Sequence, residues 1–336
     1  MTNLAIIGLG KIGKELYKKS LEKGYSIPII VEQNGIYNDF NLENKIDEPE
    51  NYLKQFNSHG IEIACLTIPT LDQGETARDI ILSCAKNGIP LVTSEKGALG
   101  NYYPELKGNI AMIGYRATVG GGSRMIPFIE EQLDDIVEAH FIFNGTVNHY
   151  YEGLSRGMNP EYLTAEEIRL GYVEPGATTR YGIINNELCG DVPKKTAIIN
   201  NLGGLGPIIR ASEIKAKPLS EKDFEKINAR FYRFIVSFYK GEGPEKNNEF
   251  QVFLHKPKSG SGGRTISAGF KYIPDMHYCH PLPEGVNNAA YICKGKNPEQ
   301  LYVVPLFGPG AGPDPTTDSM GKDIEQFEFL MKSASS

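Results

Sequence analysis

The segment IIGLGKIGKEL, residues 6–16, is the feature that most constrains the fold of this chain. A short apolar run ends in glycines at positions 8, 10 and 13, and helical spacing of apolar residues follows as far as Gly24. A strand that ends in a Gly-x-Gly-x-x-Gly loop and opens a helix is typical of dinucleotide-binding units. In such a loop Gly8 permits the tight turn, Gly10 lets the pyrophosphate approach the backbone, and Gly13 lets helix and strand pack closely.

Glu32 stands at the end of the next predicted strand, IPIIVE. A carboxylate in this place can accept a hydrogen bond from a ribose 2′-hydroxyl and would repel a 2′-phosphate, so the sequence predicts NAD in preference to NADP. A solvated strand end is the alternative interpretation of Glu32, and Lys11 is a basic neighbour that could outweigh it. Ile12 lies in the same loop.

Strands alternate with helices through roughly the first 120 residues, which predicts an α/β fold with a doubly wound parallel sheet. Four further residues follow strands of this sheet, at the carboxyl ends where ligands of open α/β sheets bind: Thr67, Pro69, Thr93 and Ser94. We therefore assign them to the cofactor site.

The pattern changes after Gly122. Aromatic and β-branched segments predict strands of an antiparallel sheet: FIFNGTVNHYY, RFYRFIVSFYKG, EFQVFLHKP, AAYICKG and LYVVPLFGPG. A second glycine loop, FGPGAGPDPTTD, precedes a helical segment near the C-terminus. We predict a dinucleotide-binding domain at residues 1–120 and 306–336, and a substrate-binding and dimerisation domain at residues 121–305.

Charge and composition exclude several classes of protein. The net charge is −6 with acids and bases interspersed, so no basic stripe indicates nucleic-acid binding. We find no apolar run of membrane-spanning length and no signal peptide at the N-terminus. The 5 cysteines are scattered, which fits reduced thiols in the cytoplasm. The segment HYCH has tight spacing and no partner pair, and we predict no metal site.

Several segments, in order along the chain, resemble the homoserine dehydrogenase family. They are PLVTSEKGALG, ATVGGG, FNGTVNHY, GYVEPG, CGDVPKKTAI and FGPGAGPDPTTDSMGKDI, and they are distributed over most of the chain, from residue 90 to residue 324. The resemblance implies a Rossmann-type domain, an α+β substrate and dimer domain, and a C-terminal helix that returns to the first domain. It also implies that the late loop, with Gly310, lies against the nicotinamide end of the cofactor.

The resemblance implies interconversion of homoserine and aspartate semialdehyde by hydride transfer, in threonine and methionine biosynthesis. The oxygen that gains charge then needs a cation or acid, which a lysine supplies. The matching positions are Lys195 as the first choice for proton transfer, Lys96 near the nicotinamide, and Asp191 one helical turn before Lys195. Lys194 is the alternative if the alignment is displaced by one residue.

For the substrate, the resemblance implies contacts from Glu174, Gly145 and Thr146, with Glu174 binding the ammonium group. It also implies a homodimer, which agrees with the apolar surface that the aromatic strands would expose.

Two departures from the family pattern leave alternatives open. Arg116 stands where the family usually has a glutamate that helps to hold a monovalent cation, and a guanidinium cannot ligate a metal. The interval between Glu174 and Asp191 holds Asn186 and Glu187 but not the expected aspartate. The alternatives are a related dehydrogenase for another small amino or hydroxy acid, and a dinucleotide-binding protein without catalysis.

Overall fold

A computed structural model describes residues 1–170, 173, 177–241, 250–258, 262–274, 277, 279–296, 300–310 and 312–334. The chain forms two compact units, Met1–Gly122 together with Gly312–Ser336, and Ser123–Ala311. The assignment of cofactor and substrate functions to two domains stays a prediction.

The first unit is built on a seven-stranded sheet whose strand order is β4-β3-β2-β1-β5-β6-β7. Its strands are β1 (Asn3–Ile7), β2 (Ser26–Glu32), β3 (Gly35–Tyr37), β4 (Lys45–Asp47), β5 (Ile63–Leu66), β6 (Leu91–Thr93) and β7 (Ile113–Gly114). The five strands from β2 to β7 in this order are parallel, and β3 and β4 add an antiparallel edge. The parallel α/β sheet predicted from the alternation of strands and helices is confirmed.

The helices of the first unit include α1 (Lys11–Glu22), α2 (Tyr52–Ser58), α3 (Glu75–Lys86), α4 (Gly97–Asn101), α5 (Tyr103–Leu106) and the C-terminal helix. The C-terminal helix (Pro313–Ala334) packs against α1, and two lysines of α1 and its C-cap, Lys19 and Lys23, pair with its acidic side chains. Its buried residues Met320 and Ile324 join the core under the parallel sheet. The predicted return of the C-terminal helix to the first unit is confirmed.

The second unit contains a six-stranded antiparallel sheet in the order β10-β11-β9-β8-β12-β13. Its strands are β8 (Ile136–Ile142), β9 (Tyr232–Lys240), β10 (Phe250–His255), β11 (Arg264–Tyr272), β12 (Asn287–Lys294) and β13 (Tyr302–Pro309). Its helices are α6 (Met125–Glu131), α7 (Gly145–Ser155), α8 (Pro160–Leu170), α9 (Arg180–Asn186), α10 (Val192–Leu202) and α11 (Glu221–Lys226). The C-terminal helix is therefore α12.

The strand predicted across FIFNGTVNHYY is wrong beyond Ile142, because helix α7 begins at Gly145. Asn144 has extended backbone angles, and its side chain accepts a hydrogen bond from the Val147 amide as the N-cap of α7. The cap outweighs the β propensity of the aromatic residues that follow. Within the described residues, no helix has both the length and the apolar character needed to cross a membrane.

Candidate active site

A cavity of about 400 Å³ lies in the first unit beside the first glycine loop. Its lining residues come from the glycine loop, the end of β2, the segment before α2, and the loop after β5: Ile7, Gly8, Gly10, Val31, Glu32, Gln33, Pro49, Tyr52, Thr67, Ile68, Pro69, Leu71, Thr76 and Ile80. Five residues predicted for the cofactor site, Gly8, Gly10, Glu32, Thr67 and Pro69, are therefore brought together.

The glycines of the loop have distinct surroundings. Gly8 has φ of +93°, in the left-handed region that favours glycine. A Cβ at Gly13 would lie 2.1 Å from the Gly8 carbonyl oxygen, so α1 can approach β1 only with glycine at that position. A Cβ at Gly10 would meet no atom within 4 Å, so the backbone there is open on its outer side. A close turn and an open backbone at the start of a helix fit a pyrophosphate.

Glu32 is tied to the glycine loop, because one of its carboxylate oxygens accepts a hydrogen bond from the Leu9 amide. This contact fixes the carboxylate at the wall of the cavity. Lys11 is exposed in the first turn of α1, and Ile12 is half-buried and packs on the core of the unit. Neither is among the described residues that line the cavity.

The end of β6 and the loop after it carry three further predicted residues. Thr93 is fully buried and donates a hydrogen bond to the Leu66 carbonyl at 3.2 Å. Ser94 and Lys96 are half-buried, and Lys96 is the N-cap residue of α4. Among the described residues, none of these three lines the cavity.

In the second unit, a polar cluster joins the end of β8 to α10. Lys195 Nζ donates a hydrogen bond to the Phe143 carbonyl at 2.9 Å and lies 2.8 Å from Asp191 Oδ2. The Asn144 amide donates to Glu187 Oε2 at 2.6 Å and to Asp191 Oδ2 at 3.1 Å. The cluster thus joins two carboxylates to one side-chain amide, and one of these carboxylates, Asp191, to the Lys195 ammonium group.

The helical backbone changes its winding at this cluster. Residues Glu187–Asp191 form a π-helical segment between α9 and α10. Such segments are rare and occur frequently at functional sites. Glu187 and Asp191, the first and last residues of this segment, both accept a hydrogen bond from the Asn144 amide.

Gly145 and Thr146 are buried in the first turn of α7, directly after Asn144. Glu174 lies outside the described residues. Gly310 belongs to the second unit, and a Cβ there would lie 2.2 Å from Cγ of the buried Asn288. Close packing against Asn288 therefore requires glycine at position 310.

The sequence did not assign roles to Asn144 and Glu187. Asn144 directly precedes the predicted Gly145, and the cap position before a helix was the signal that could have identified it. Glu187 lies in the interval before Asp191, where the family pattern leads one to expect an aspartate. A carboxylate four residues before another on one helix was the available signal, although the contact of both with Asn144, more than 40 residues earlier in the chain, cannot be read from spacing.

Arg116 forms an ion pair within the first unit. Its guanidinium lies 2.6 Å from Asp323 Oδ1, and its backbone amide donates to Asp323 Oδ2 at 3.0 Å. Asp323 is only 3% exposed, so its carboxylate is neutralised by an internal cation. Among the described residues, no group of three or more His, Cys, Asp or Glu side chains is arranged to hold a metal ion.

Comparisons with known proteins agree with this architecture. No family model matches the chain. A homoserine dehydrogenase from Methanocaldococcus jannaschii is 25% identical over 255 residues, which are 65% of this chain and 73% of the relative. A solved hyperthermophilic archaeal homoserine dehydrogenase in complex with NADPH aligns over 98% of both chains, with 20% identity and a TM-score of 0.69.

The chain is a homologue of homoserine dehydrogenases. The homoserine dehydrogenase of Thermoplasma acidophilum aligns over 97% of this chain and 99% of its own, with 13% identity and a TM-score of 0.66. That of Thiobacillus denitrificans aligns over 99% and 74%, with 18% identity and a TM-score of 0.70. The similarity in fold to these enzymes therefore extends over both units of this chain, and the predicted resemblance is confirmed.

Proposed function

We propose that this chain is a homoserine dehydrogenase that interconverts L-homoserine and L-aspartate 4-semialdehyde with a nicotinamide cofactor. The observation that carries the proposal is the cluster of Lys195, Asp191, Asn144 and Glu187 in a homologue of these enzymes. The cluster offers a proton donor and two carboxylates. A substrate with a hydroxyl or aldehyde oxygen and an ammonium group needs both.

We assign the proton transfer to Lys195. Two of the three ammonium hydrogens are directed to Phe143 and Asp191, which leaves one donor direction for a substrate oxygen. When bound, the nicotinamide supplies or accepts the hydride. As negative charge grows on the carbonyl oxygen, Lys195 donates a proton to it, and Asp191 holds the ammonium in position.

We assign the substrate ammonium to the carboxylates around Asn144, with Glu174 as a further partner that the family resemblance implies. Asn144 holds Glu187 and Asp191 through one amide group, which orients both carboxylates, and Asp191 also pairs with the Lys195 ammonium. Gly145 and Thr146 follow on α7 and are proposed to contact the same substrate.

We propose NAD as the preferred form of the cofactor. Glu32 is fixed at the wall of the cavity by the Leu9 amide, and its negative charge disfavours a 2′-phosphate. Gln33, Pro49 and Tyr52, which also line the cavity, are all uncharged. The archaeal enzyme of similar fold is described with NADPH, so cofactor choice is a point on which this chain is expected to differ.

A second candidate is oxidation of another small amino or hydroxy acid on the same site. It is favoured by Glu187, which is one methylene longer than the aspartate that the family pattern leads one to expect. A longer carboxylate leaves less room for the substrate.

The test is an absorbance assay at the reduced-nicotinamide band with homoserine and each cofactor. We expect NAD-dependent oxidation of homoserine that is faster than oxidation of serine, threonine or 4-hydroxybutyrate. Faster turnover of one of the other compounds would favour the second candidate, and cofactor binding without turnover of any of them would contradict both.

We also propose a homodimer and a cytoplasmic location. The 5 cysteines are all free, and four of them are buried, which suits a reducing compartment.

A further inference from the structure

Glu95 is a buried carboxylate that the proposed chemistry does not use. It is 3% exposed and lies in the loop between β6 and α4, directly before Lys96. Burying a carboxylate is unfavourable unless hydrogen bonds compensate it. The hydrogen bonds of Glu95 therefore indicate which parts of the structure its carboxylate stabilises.

Glu95 accepts three hydrogen bonds from two segments, the loop after β5 and the first turn of α4. Thr70 donates its hydroxyl to Oε1 at 2.5 Å, and Gly97 donates its amide to the same oxygen at 2.5 Å. Ala98 donates its amide to Oε2 at 2.9 Å. The side chain thus binds the start of α4 on one side and the loop after β5 on the other.

The loop after β5 and the start of α4 are also in close backbone contact. A Cβ at Gly74 would lie 2.1 Å from the carbonyl carbon of Gly97, and a Cβ at Gly97 would lie 2.6 Å from Thr70 Cγ2. Glycine at both positions brings the two segments together, and the Glu95 carboxylate then holds them in place. The loop on the Thr70 side also lines the cofactor cavity through Pro69 and Leu71.

We infer that Glu95 is a positioning residue that locks the loop bearing Lys96 to the wall of the cofactor cavity. The inference rests on the proposed function, because Lys96 is the residue assigned to the nicotinamide end. Without the carboxylate, the first turn of α4 loses its acceptors and Lys96, its N-cap residue, loses its fixed backbone. Displacing a catalytic group by about 1 Å can cost about 10²-fold in rate.

The experiment compares Glu95→Ala, Glu95→Gln, Thr70→Val and the double variant Glu95→Ala/Thr70→Val with the unmodified chain. Glu62→Ala is the matched control, because Glu62 is another carboxylate of the first unit that accepts a backbone hydrogen bond, from Asn3 at 2.9 Å, but at the surface. Turnover, the KM for homoserine, the NAD dissociation constant, the unfolding midpoint and the fluorescence of bound NADH are measured for each.

We expect Glu95→Ala to lower kcat by about 10–100-fold, while the KM and the NAD dissociation constant change by less than about threefold. Thr70→Val should lower kcat by a smaller factor. Adding it to Glu95→Ala should not lower kcat further, because both substitutions remove the same hydrogen bond between Thr70 and Glu95. Glu95→Gln keeps an acceptor for Thr70 and Gly97 and should retain more turnover than Glu95→Ala. The emission of bound NADH should change in Glu95→Ala and not in Glu62→Ala.

Three results would overturn the inference. The first is a kcat of Glu95→Ala within about twofold of that of the unmodified chain. The second is that the effects of Glu95→Ala and Thr70→Val on kcat are independent and multiply in the double variant. The third is that Glu95→Ala lowers kcat, the affinity for NAD and the unfolding midpoint together. If Glu95→Ala does not fold, Glu95→Gln and Thr70→Val carry the comparison.

The NADH emission separates failure of this inference from failure of the proposed function. If the unmodified chain oxidises none of the substrates, the proposed function fails, and the emission of bound NADH then tests the positioning role of Glu95 by itself. A changed emission in Glu95→Ala with unchanged NADH affinity would still support the positioning role, and an identical emission would overturn it.

Discussion

Lys195 is distinguished from its neighbour Lys194 by its contacts. Lys195 is 9% exposed and bonded to Asp191 and Phe143, whereas in the described part of the chain no side-chain hydrogen bond or ion pair involves Lys194. We predict that Lys195→Met lowers kcat by about 10²–10⁴, the range expected for loss of a general acid. The NAD dissociation constant should hardly change, because Lys195 is assigned to the substrate.

Steady-state kinetics and NAD titration check this prediction, with Lys194→Met as the control that keeps near-full turnover. Near-full turnover of Lys195→Met with an inactive Lys194→Met would show that the catalytic lysine is Lys194. Full activity of both variants would show that the assignment of proton transfer to Lys195 is wrong.

Glu32 leads to a prediction about the choice between NAD and NADP. We expect kcat/KM to be higher with NAD than with NADP, because the carboxylate held by Leu9 repels a 2′-phosphate. Glu32→Gln removes the charge at nearly constant size. The ratio of kcat/KM with NAD to kcat/KM with NADP should then fall by about tenfold, mainly because the KM for NADP decreases. Equal or better use of NADP by the unmodified chain would contradict the prediction and indicate that a basic neighbour such as Lys11 dominates.

Arg116 leads to a prediction about salt. Its guanidinium neutralises the buried Asp323 at 2.6 Å, so an internal cation stands where the family pattern has a glutamate. We predict that activity does not depend on an added monovalent cation. Turnover should respond equally to sodium chloride and choline chloride at matched ionic strength, and a steep rise with sodium alone would contradict this.

At the scale of single elements, the antiparallel sheet contains a buried polar chain. His140 on β8 contacts the Ser237 hydroxyl through Nδ1 at 2.7 Å and Glu138 through Nε2 at 3.1 Å. Lys271 on β11 donates to the same hydroxyl at 2.5 Å and to the Tyr239 hydroxyl at 2.9 Å. Burial lowers the pKa of His140 from 6.5 to about 4, against the opposing effect of Glu138.

The low pKa of His140 predicts how the stability of the protein depends on pH. Between pH 6.5 and about 4 the unfolded histidine binds a proton that the folded one does not, so the free energy of unfolding should fall as the pH is lowered through this window. The loss is at most about 3 kcal/mol by linkage. Urea unfolding at several pH values measures it, and His140→Asn should flatten the profile while the exposed His59→Asn should not. The same slope in His140→Asn would assign the effect to other groups.

Elements differed in how far the sequence determined them. The glycine loop, β1 and α1 could be predicted because the turn, the apolar spacing and Gly24 all indicate one local structure. The end of β8 could not, because only the Asn144 cap, confirmed by its bond to Val147, decides between strand and helix. Strand β11 was not predicted either, because it follows directly on a glycine- and serine-rich segment and its Ser, Ala and Gly residues give a weak strand pattern.

The candidate site was predictable residue by residue but not as an arrangement. Lys195 and Asp191 lie one helical turn apart, and their contact follows from that spacing. The link from Asn144 to Glu187 spans 43 residues and joins two different elements, and periodicity does not reveal such a contact. Long-range polar contacts of this kind require the tertiary structure.

At the scale of the whole molecule, the apolar surface that indicated a dimer lies elsewhere than expected. Strand β9 is buried within the second unit, where Ile235 packs in a cluster with Ile273, Cys279 and Tyr291. Exposed apolar side chains occur instead on the edge of the sheet, where Tyr302 is 56% and Phe307 is 40% exposed. These residues lie on β13, which in the described part of the chain pairs on one side only, with β12.

We therefore predict a homodimer in which β13 contributes to the interface. An edge strand presents unpaired amide and carbonyl groups together with its side chains, so a second chain can cover both. Light scattering at micromolar concentration should give twice the 37.1 kDa of one chain. Tyr302→Ser/Phe307→Ser should shift the mass toward the monomer, whereas Phe329→Ser, which removes the 68% exposed phenylalanine of α12, should leave it unchanged. A single-chain mass for the unmodified protein would contradict the dimer, and an unchanged dimer in the double variant would place the interface on another surface.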